Sequence, residues 1–194
     1  MMQGTSILRE WAVREVVSDR KLRMALGILA FVLATSFGAY VAIPMPGTAV
    51  PLTLQPLFII LAGAVLGPWG GAGAMASYLA LGLTGAPVFS FGGAGLPWLL
   101  GPTGGYLVAA PAAAFLVGYL VRGDAGRVRK GMALSVGILT LYLGGVSQLL
   151  LLTGENLSTV LAVGVLPFLL GDLIKVFLAL LLLERLQSTS LGRF

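Results

Sequence analysis

The chain has 194 residues, 58% hydrophobic and 10% charged, with 12 Lys+Arg against 7 Asp+Glu and neither Cys nor His. Soluble domains average about 25% charged residues, whereas residues 24–121, half of this chain, contain no Asp, Glu, Lys, Arg or His. Such a stretch cannot supply a solvated surface, so a soluble enzyme, a nucleic-acid binder and a disordered chain are excluded, and an integral membrane protein remains. Without Cys or His there is no thiol or imidazole chemistry, no disulfide, and no zinc or haem site built on those ligands.

In residues 1–23, Ile7, Leu8, Trp11, Ala12 and Val16 share one face of an amphipathic helix, with Arg9, Glu10, Arg14 and Glu15 on its wetter side. This predicts a segment lying on the cytoplasmic membrane surface. It is not a secretory signal, because the apolar run after it is too long and no small-x-small site ends it. A span needs roughly 20 apolar residues. Six are placed at 24–42, 54–67, 69–83, 102–121, 131–152 and 167–184, giving a membrane domain over 24–185 and a cytoplasmic tail over 186–194. Spans two and three are short and meet at Gly67-Pro68, a breaker pair suited to a tight turn.

Two loops stand out. Pro44, Pro46 and Pro51 keep the stretch 43–51 from forming regular helix. Residues 84–101 hold Gly85, Pro87, Gly92, Gly93, Gly95, Pro97 and Gly101, which predicts a long non-helical loop, yet Val88, Phe89, Phe91, Leu96 and Trp98 make it apolar. Apolar irregular backbone must be buried in protein or line a cavity.

Charge sets the orientation. With the N-terminus inside, 11 of the 12 basic residues fall on cytoplasmic segments, and the outer loops 43–53, 84–101 and 153–166 carry only Glu155. Every loop obeys the positive-inside rule, so both Pro/Gly-rich loops lie outside. The Pro/Gly spacing of the first half does not recur in the second, which gives no support to an inverted-repeat transporter.

Asp172 and Lys175 are the only charges in the interior of a span. Three residues apart, they share a helix face, and charge in a membrane marks a functional site by default. With Pro167 as first helical residue, Asp172 sits roughly 7–8 Å below the outer surface and Lys175 one turn deeper. The pair offers an acceptor and a multi-donor cation to a ligand having both N–H donors and an oxygen acceptor. The alternative is a self-satisfied ion pair holding the bundle together. Gly101-Pro102-Thr103-Gly104-Gly105-Tyr106 opens the fourth span, where backbone N–H groups can meet an acceptor. Thr53, Gln55, Tyr78, Ser90 and Gln148 are further polar candidates near span ends. Ala30, Ala34 and Gly38 form a small-residue stripe that lets another helix approach, inside the bundle or from outside it.

Within residues 28–185 a series of short motifs runs in order through Ile43-Pro44-Met45-Pro46, Val50-Pro51-Leu52-Thr53-Leu54-Gln55, Leu61-Ala62-Gly63, Leu66-Gly67-Pro68 and Tyr78-Leu79-Ala80-Leu81-Gly82. It continues through Gly85-Ala86-Pro87-Val88-Phe89, Gly101-Pro102-Thr103-Gly104-Gly105-Tyr106, Pro167-Phe168, Gly171-Asp172 and Lys175. On these motifs the chain resembles the BioY family, the biotin-specific S component of energy-coupling factor (ECF) transporters.

It implies an all-α integral membrane protein of six transmembrane helices with long irregular outer loops, in a prokaryotic cell membrane with both termini cytoplasmic. It implies no enzyme, no cofactor and no metal, with biotin as transported ligand in an outward-facing pocket. Asp172 and Lys175 would contact biotin, and Gln55, Tyr78, Phe89, Gly92, Gly93, Gly101, Thr103, Gly104 and Tyr106 would complete the site. Lys175 is left with two roles, the ureido carbonyl or the carboxylate. Ala30 and Ala34 would dock onto a transmembrane coupling protein driven by two ATPases. The chain itself has no G-x-x-x-x-G-K-[ST] loop, so any ATP chemistry belongs to partners. Competing readings are an S component for another small vitamin, a structural membrane subunit, and an intramembrane enzyme using Ser77 or Ser90, which lacks a base.

Overall fold

A computed structural model describes residues 19–123 and 125–188. Of the amphipathic segment expected over residues 1–23 and the tail expected over 186–194, residues 1–18 and 189–194 lie outside the described residues. Helix α1 (Arg20–Tyr40) starts earlier than its predicted span because Asp19 caps it, its Oδ1 accepting from the Lys21 N–H at 2.8 Å.

Helix α2 (Gln55–Leu83) carries both short spans and is broken at Gly67, whose φ of 74° only glycine adopts freely, followed by Pro68. A Cβ on Gly71 would lie 2.6 Å from the Gly63 Cα. Residues eight apart in a straight helix are separated by about 12 Å, so the two halves of α2 fold back on one another. Gly63 and Gly71, which share a spacing in sequence, thus face each other across the turn rather than forming a single stripe.

The apolar first outer loop pairs as a short antiparallel ribbon, β1 (Ala42–Ile43) with β2 (Leu52–Thr53), Ala42 opposite Thr53. The second outer loop is less irregular than its glycines predict. It contains a 3-10 turn at Ser90–Gly92 and the one-turn helix α3 (Leu96–Leu100). Helix α4 (Gly104–Leu120) then packs on α5 (Arg127–Thr153), where a Cβ on Gly105 would overlap the Gly144 carbonyl oxygen. The third outer loop also departs from expectation by forming α6 (Leu157–Gly164), capped by Asn156 Oδ1, which accepts from the Thr159 N–H at 2.9 Å. A 3-10 turn, Leu166–Phe168, leads into α7 (Leu169–Ser188).

Among the described residues four helical stretches, Arg20–Tyr40, Gln55–Leu83, Arg127–Thr153 and Leu157–Leu186, are long and apolar enough to cross a membrane. Because Gln55–Leu83 doubles back and the shorter apolar Gly104–Leu120 adds one more, the bundle has six spans. Its outward faces are apolar, with Phe37, Leu143 and Leu170 largely exposed, as lipid contact permits. At the end opposite the outer loops, Arg127 pairs with Glu184 at 3.2 Å, and Arg129 Nε donates to the Leu120 carbonyl at 3.0 Å, satisfying a terminal carbonyl of α4.

Candidate ligand-binding site

Among the described residues the buried polar or charged side chains are Thr35, Gln55, Ser90, Asp172 and Lys175. Apart from Thr35, these gather around one cavity at the loop end of the bundle, which encloses about 620 Å3 when the space at its mouth is included.

The floor is built on α7. Pro167 lies in the preceding 3-10 turn and not, as expected, at the first helical position, so the helix starts at Leu169 and Asp172 falls in its first turn. There the helix dipole favours a carboxylate. Lys175 follows one turn later on the same face, and its Nζ donates to Asp172 Oδ1 at 2.6 Å. Tyr142, from α5, donates its hydroxyl to Asp172 Oδ2 at 2.5 Å. Asp172 and Lys175 are 6% and 4% exposed. Each carboxylate oxygen thus holds one donor with a lone pair to spare, and the ammonium has used one of its three donors. The trio is electrically neutral, yet it presents acceptor and donor capacity side by side.

A second polar group also lines the cavity. Gln55 Oε1 accepts from Thr53 Oγ1 and from Ser90 Oγ, both at 3.2 Å. Its Nε2 donates to the Tyr78 hydroxyl at 2.7 Å, which in turn donates to the Val88 carbonyl at 2.8 Å. This network ties β2, α2 and the second outer loop together and fixes the Gln55 amide. Between the two polar groups the wall is apolar, formed by Val50, Pro51, Leu52, Pro56, Ile59, Leu107, Leu141 and Phe168. An apolar pocket with a few placed polar groups is the usual form of a small-molecule site.

Of the residues singled out from the sequence, Gln55, Thr103, Tyr106, Asp172 and Lys175 line the cavity, as do Thr53 and Ser90. Tyr106 presents its ring to the cavity and donates its hydroxyl to the Gly164 carbonyl at 2.6 Å. Tyr78 and Phe89 lie behind the wall, fully or almost fully buried, with ring centroids 5.6 Å apart in an edge-to-face contact.

Gly92, Gly93, Gly101 and Gly104 are not among the lining residues. Gly93 makes room for the Trp98 indole, and Gly104 for the Leu99 carbonyl and Gln148. Ala30 is exposed and Ala34 half-buried on α1, away from the cavity. Gly38, the third member of their stripe, is spent inside the bundle, where its carbonyl accepts from the Leu54 N–H at 3.1 Å.

Tyr142 went unnoticed in the sequence. A signal was available, since a phenol in the middle of a span needs a hydrogen-bond partner, and Asp172 is the only carboxylate in the interior of a predicted span.

Fold and site together define a ligand-binding membrane subunit, a six-span bundle with a neutral, polar-floored cavity at the end that carries its long loops. A model of the BioY family matches residues 12–191. The "Probable biotin transporter BioY" of Pyrococcus horikoshii is 41% identical over 163 residues, covering 84% of this chain and 95% of that protein. The "Biotin transporter BioY" of Thermotoga maritima is 36% identical over 167 residues, covering 80% and 90%. Among solved structures, the S-component for biotin from an ECF-type ABC transporter superposes with a TM-score of 0.83 at 26% identity, covering 89% of this chain and 95% of that one. The chain belongs to the BioY family.

Proposed function

We infer that this chain captures biotin in its outward-facing cavity as the substrate-binding subunit of a biotin uptake transporter. The observation that carries the reading is the neutral donor–acceptor floor formed by Asp172, Lys175 and Tyr142. Biotin's ureido ring is itself neutral and places N–H donors beside a carbonyl acceptor. Asp172 accepts from a ureido N–H, and Lys175 donates one of its spare N–H groups to the ureido carbonyl. A carboxylate at the same floor would face Asp172 and gain little net attraction, so the valerate points away from the floor, toward the Thr103 hydroxyl in the cavity wall. The thiophane ring and alkyl chain fill the apolar belt between.

The relatives' names and the solved S-component support this reading of substrate and role. Delivery inward then falls to a coupling protein and two ATPases, with the exposed Ala30 face of α1 as the docking surface. Both termini lie on the cytoplasmic side, from the basic residues there. Titration of the purified protein in detergent with biotin, thiamine and riboflavin tests the substrate. Saturable tight binding of biotin alone is expected. No tight biotin binding, or stabilisation to heat by none of the three, contradicts it and returns the chain to a structural role.

A further inference from the structure

Gln148 stands on α5, half-buried, and is not among the cavity's lining residues. Its Nε2 donates to two backbone carbonyls of the second outer loop, Leu99 at 2.8 Å and Gly101 at 2.6 Å. Both belong to the C-terminal end of α3, where helix geometry leaves carbonyls without partners. Gly101 O also accepts from the Gly104 N–H at 3.0 Å, so the amide grips the turn that opens α4. Thr103, inside that turn, lines the cavity.

The middle of the same loop is held by other groups: Ser90 Oγ donates to Gln55 Oε1 at 3.2 Å, Tyr78 donates to the Val88 carbonyl at 2.8 Å, and the Gly95 N–H donates to the Gly82 carbonyl at 2.8 Å. Trp98 Nε1 is buried with no hydrogen-bond partner, and its indole is seated against Gly93 by packing alone. Phe91, 59% exposed, sits at φ 56° and ψ 26°, a left-handed conformation that costs a bulky residue about 1 kcal/mol or more. The Gln148 bonds thus fix the root of the loop and the Gln55–Tyr78 network fixes its middle, while Phe91 and the Trp98 indole carry the strain and the unpaired donor.

We propose that Gln148 is a positioning residue for the ligand site. It locks the root of the second outer loop onto α5, holds Thr103 in the cavity wall, and so sets how long a bound ligand stays. Resting on the biotin reading, the latch governs residence time, and the Asp172–Lys175–Tyr142 floor governs which ligand is recognised.

Q148L removes both hydrogen bonds, and Q148M does so with an unbranched side chain closer to the original shape. Biotin should dissociate about tenfold faster from either variant, the equivalent of one net hydrogen bond. The association rate and the preference for biotin over 2-iminobiotin, which differs from it at the ureido carbonyl, should not change. A second readout needs no ligand. The chain has no Cys, so T103C gives a single thiol in the cavity wall, and N-ethylmaleimide should label it several-fold faster when Gln148 is replaced.

Wild-type dissociation and wild-type labelling rates in both variants would overturn the latch. So would a loss of ligand preference that tracks a general fall in melting temperature, which marks Gln148 as merely structural. Failure of the unmodified protein to bind biotin would instead retire the biotin reading, and the labelling arm would still decide the latch.

Discussion

Exchange of the floor charges separates an ion pair that reads a ligand from one that only holds helices together. Asp172 and Lys175 are both nearly inaccessible and 2.6 Å apart. Removing one partner of a buried pair costs about 3–5 kcal/mol, because the other charge is left uncompensated. For a chain of this size each kcal/mol moves the melting temperature by about 2–4 °C. D172N keeps a carbonyl for the ammonium and falls at the low end of that range, a drop of about 6–12 °C. K175M strands the carboxylate with Tyr142 as its only donor and should fall at least as far.

The double variant D172N/K175M carries no charge at the floor, and neutral replacements of a buried pair are often close to neutral in stability. Its melting temperature should return to within a few degrees of the unmodified protein. Biotin binding should stay lost in all three, by at least about 2 kcal/mol, since the ligand's own polar groups are stranded, which is about 30-fold in affinity. Thermal unfolding in detergent and biotin titration of the same samples give both quantities. A double variant that regains stability and binds biotin like the unmodified protein would refute the argument and leave a purely structural ion pair.

Tyr142→Phe deletes a hydrogen bond to a carboxylate, and such bonds contribute about 1.5–3 kcal/mol; the expected result is a lower melting temperature together with weaker biotin binding in titration. Tyr78→Phe frees the Gln55 amide and the Val88 carbonyl without touching the floor, so biotin affinity should fall several-fold by the same titration while preference between biotin and desthiobiotin is kept. Gly105→Ala pushes a methyl into the Gly144 carbonyl and should destabilise by about 1–3 kcal/mol in thermal unfolding. Gly73→Ala, where the nearest atom to the new methyl is 3.9 Å away, should be neutral or mildly stabilising in the same assay.

The long uncharged run, the Gly67-Pro68 break and the isolated Asp172 and Lys175 were enough to read six spans and the polar floor, because each rests on a strong rule. Charge is excluded from lipid, Pro and Gly break helices, and buried charge needs a reason. Lengths near loops were less legible. Short helices α3 and α6 sit inside stretches read as loops; α6 has a local cap in Asn156, whereas the end of α3 is held by Gln148, a contact that spacing along the chain does not encode. The glycines of the outer loops were read as openings for a ligand. Gly93 and Gly104 instead make room for Trp98 and for the Leu99 carbonyl, close approaches that spacing along the chain does not encode. Tyr78 and Tyr142 illustrate the same limit, since a phenol in a span must find a partner but the sequence does not say which. One turned out to back Gln55, the other to hold Asp172.

The central claim is that Lys175 meets the ureido group of biotin. The chain has three lysines, Lys21, Lys130 and Lys175, so the variant K21R/K130R leaves one lysine side-chain nitrogen. With 15N in the lysine side chain and 13C in the ureido carbonyl, dipolar recoupling in the solid state measures their separation directly. A hydrogen bond from Nζ to the ureido oxygen places the two nuclei within about 4 Å, and that is the predicted result. A separation beyond about 6 Å, with biotin bound and the carboxylate carbon the nearer one, would contradict the account.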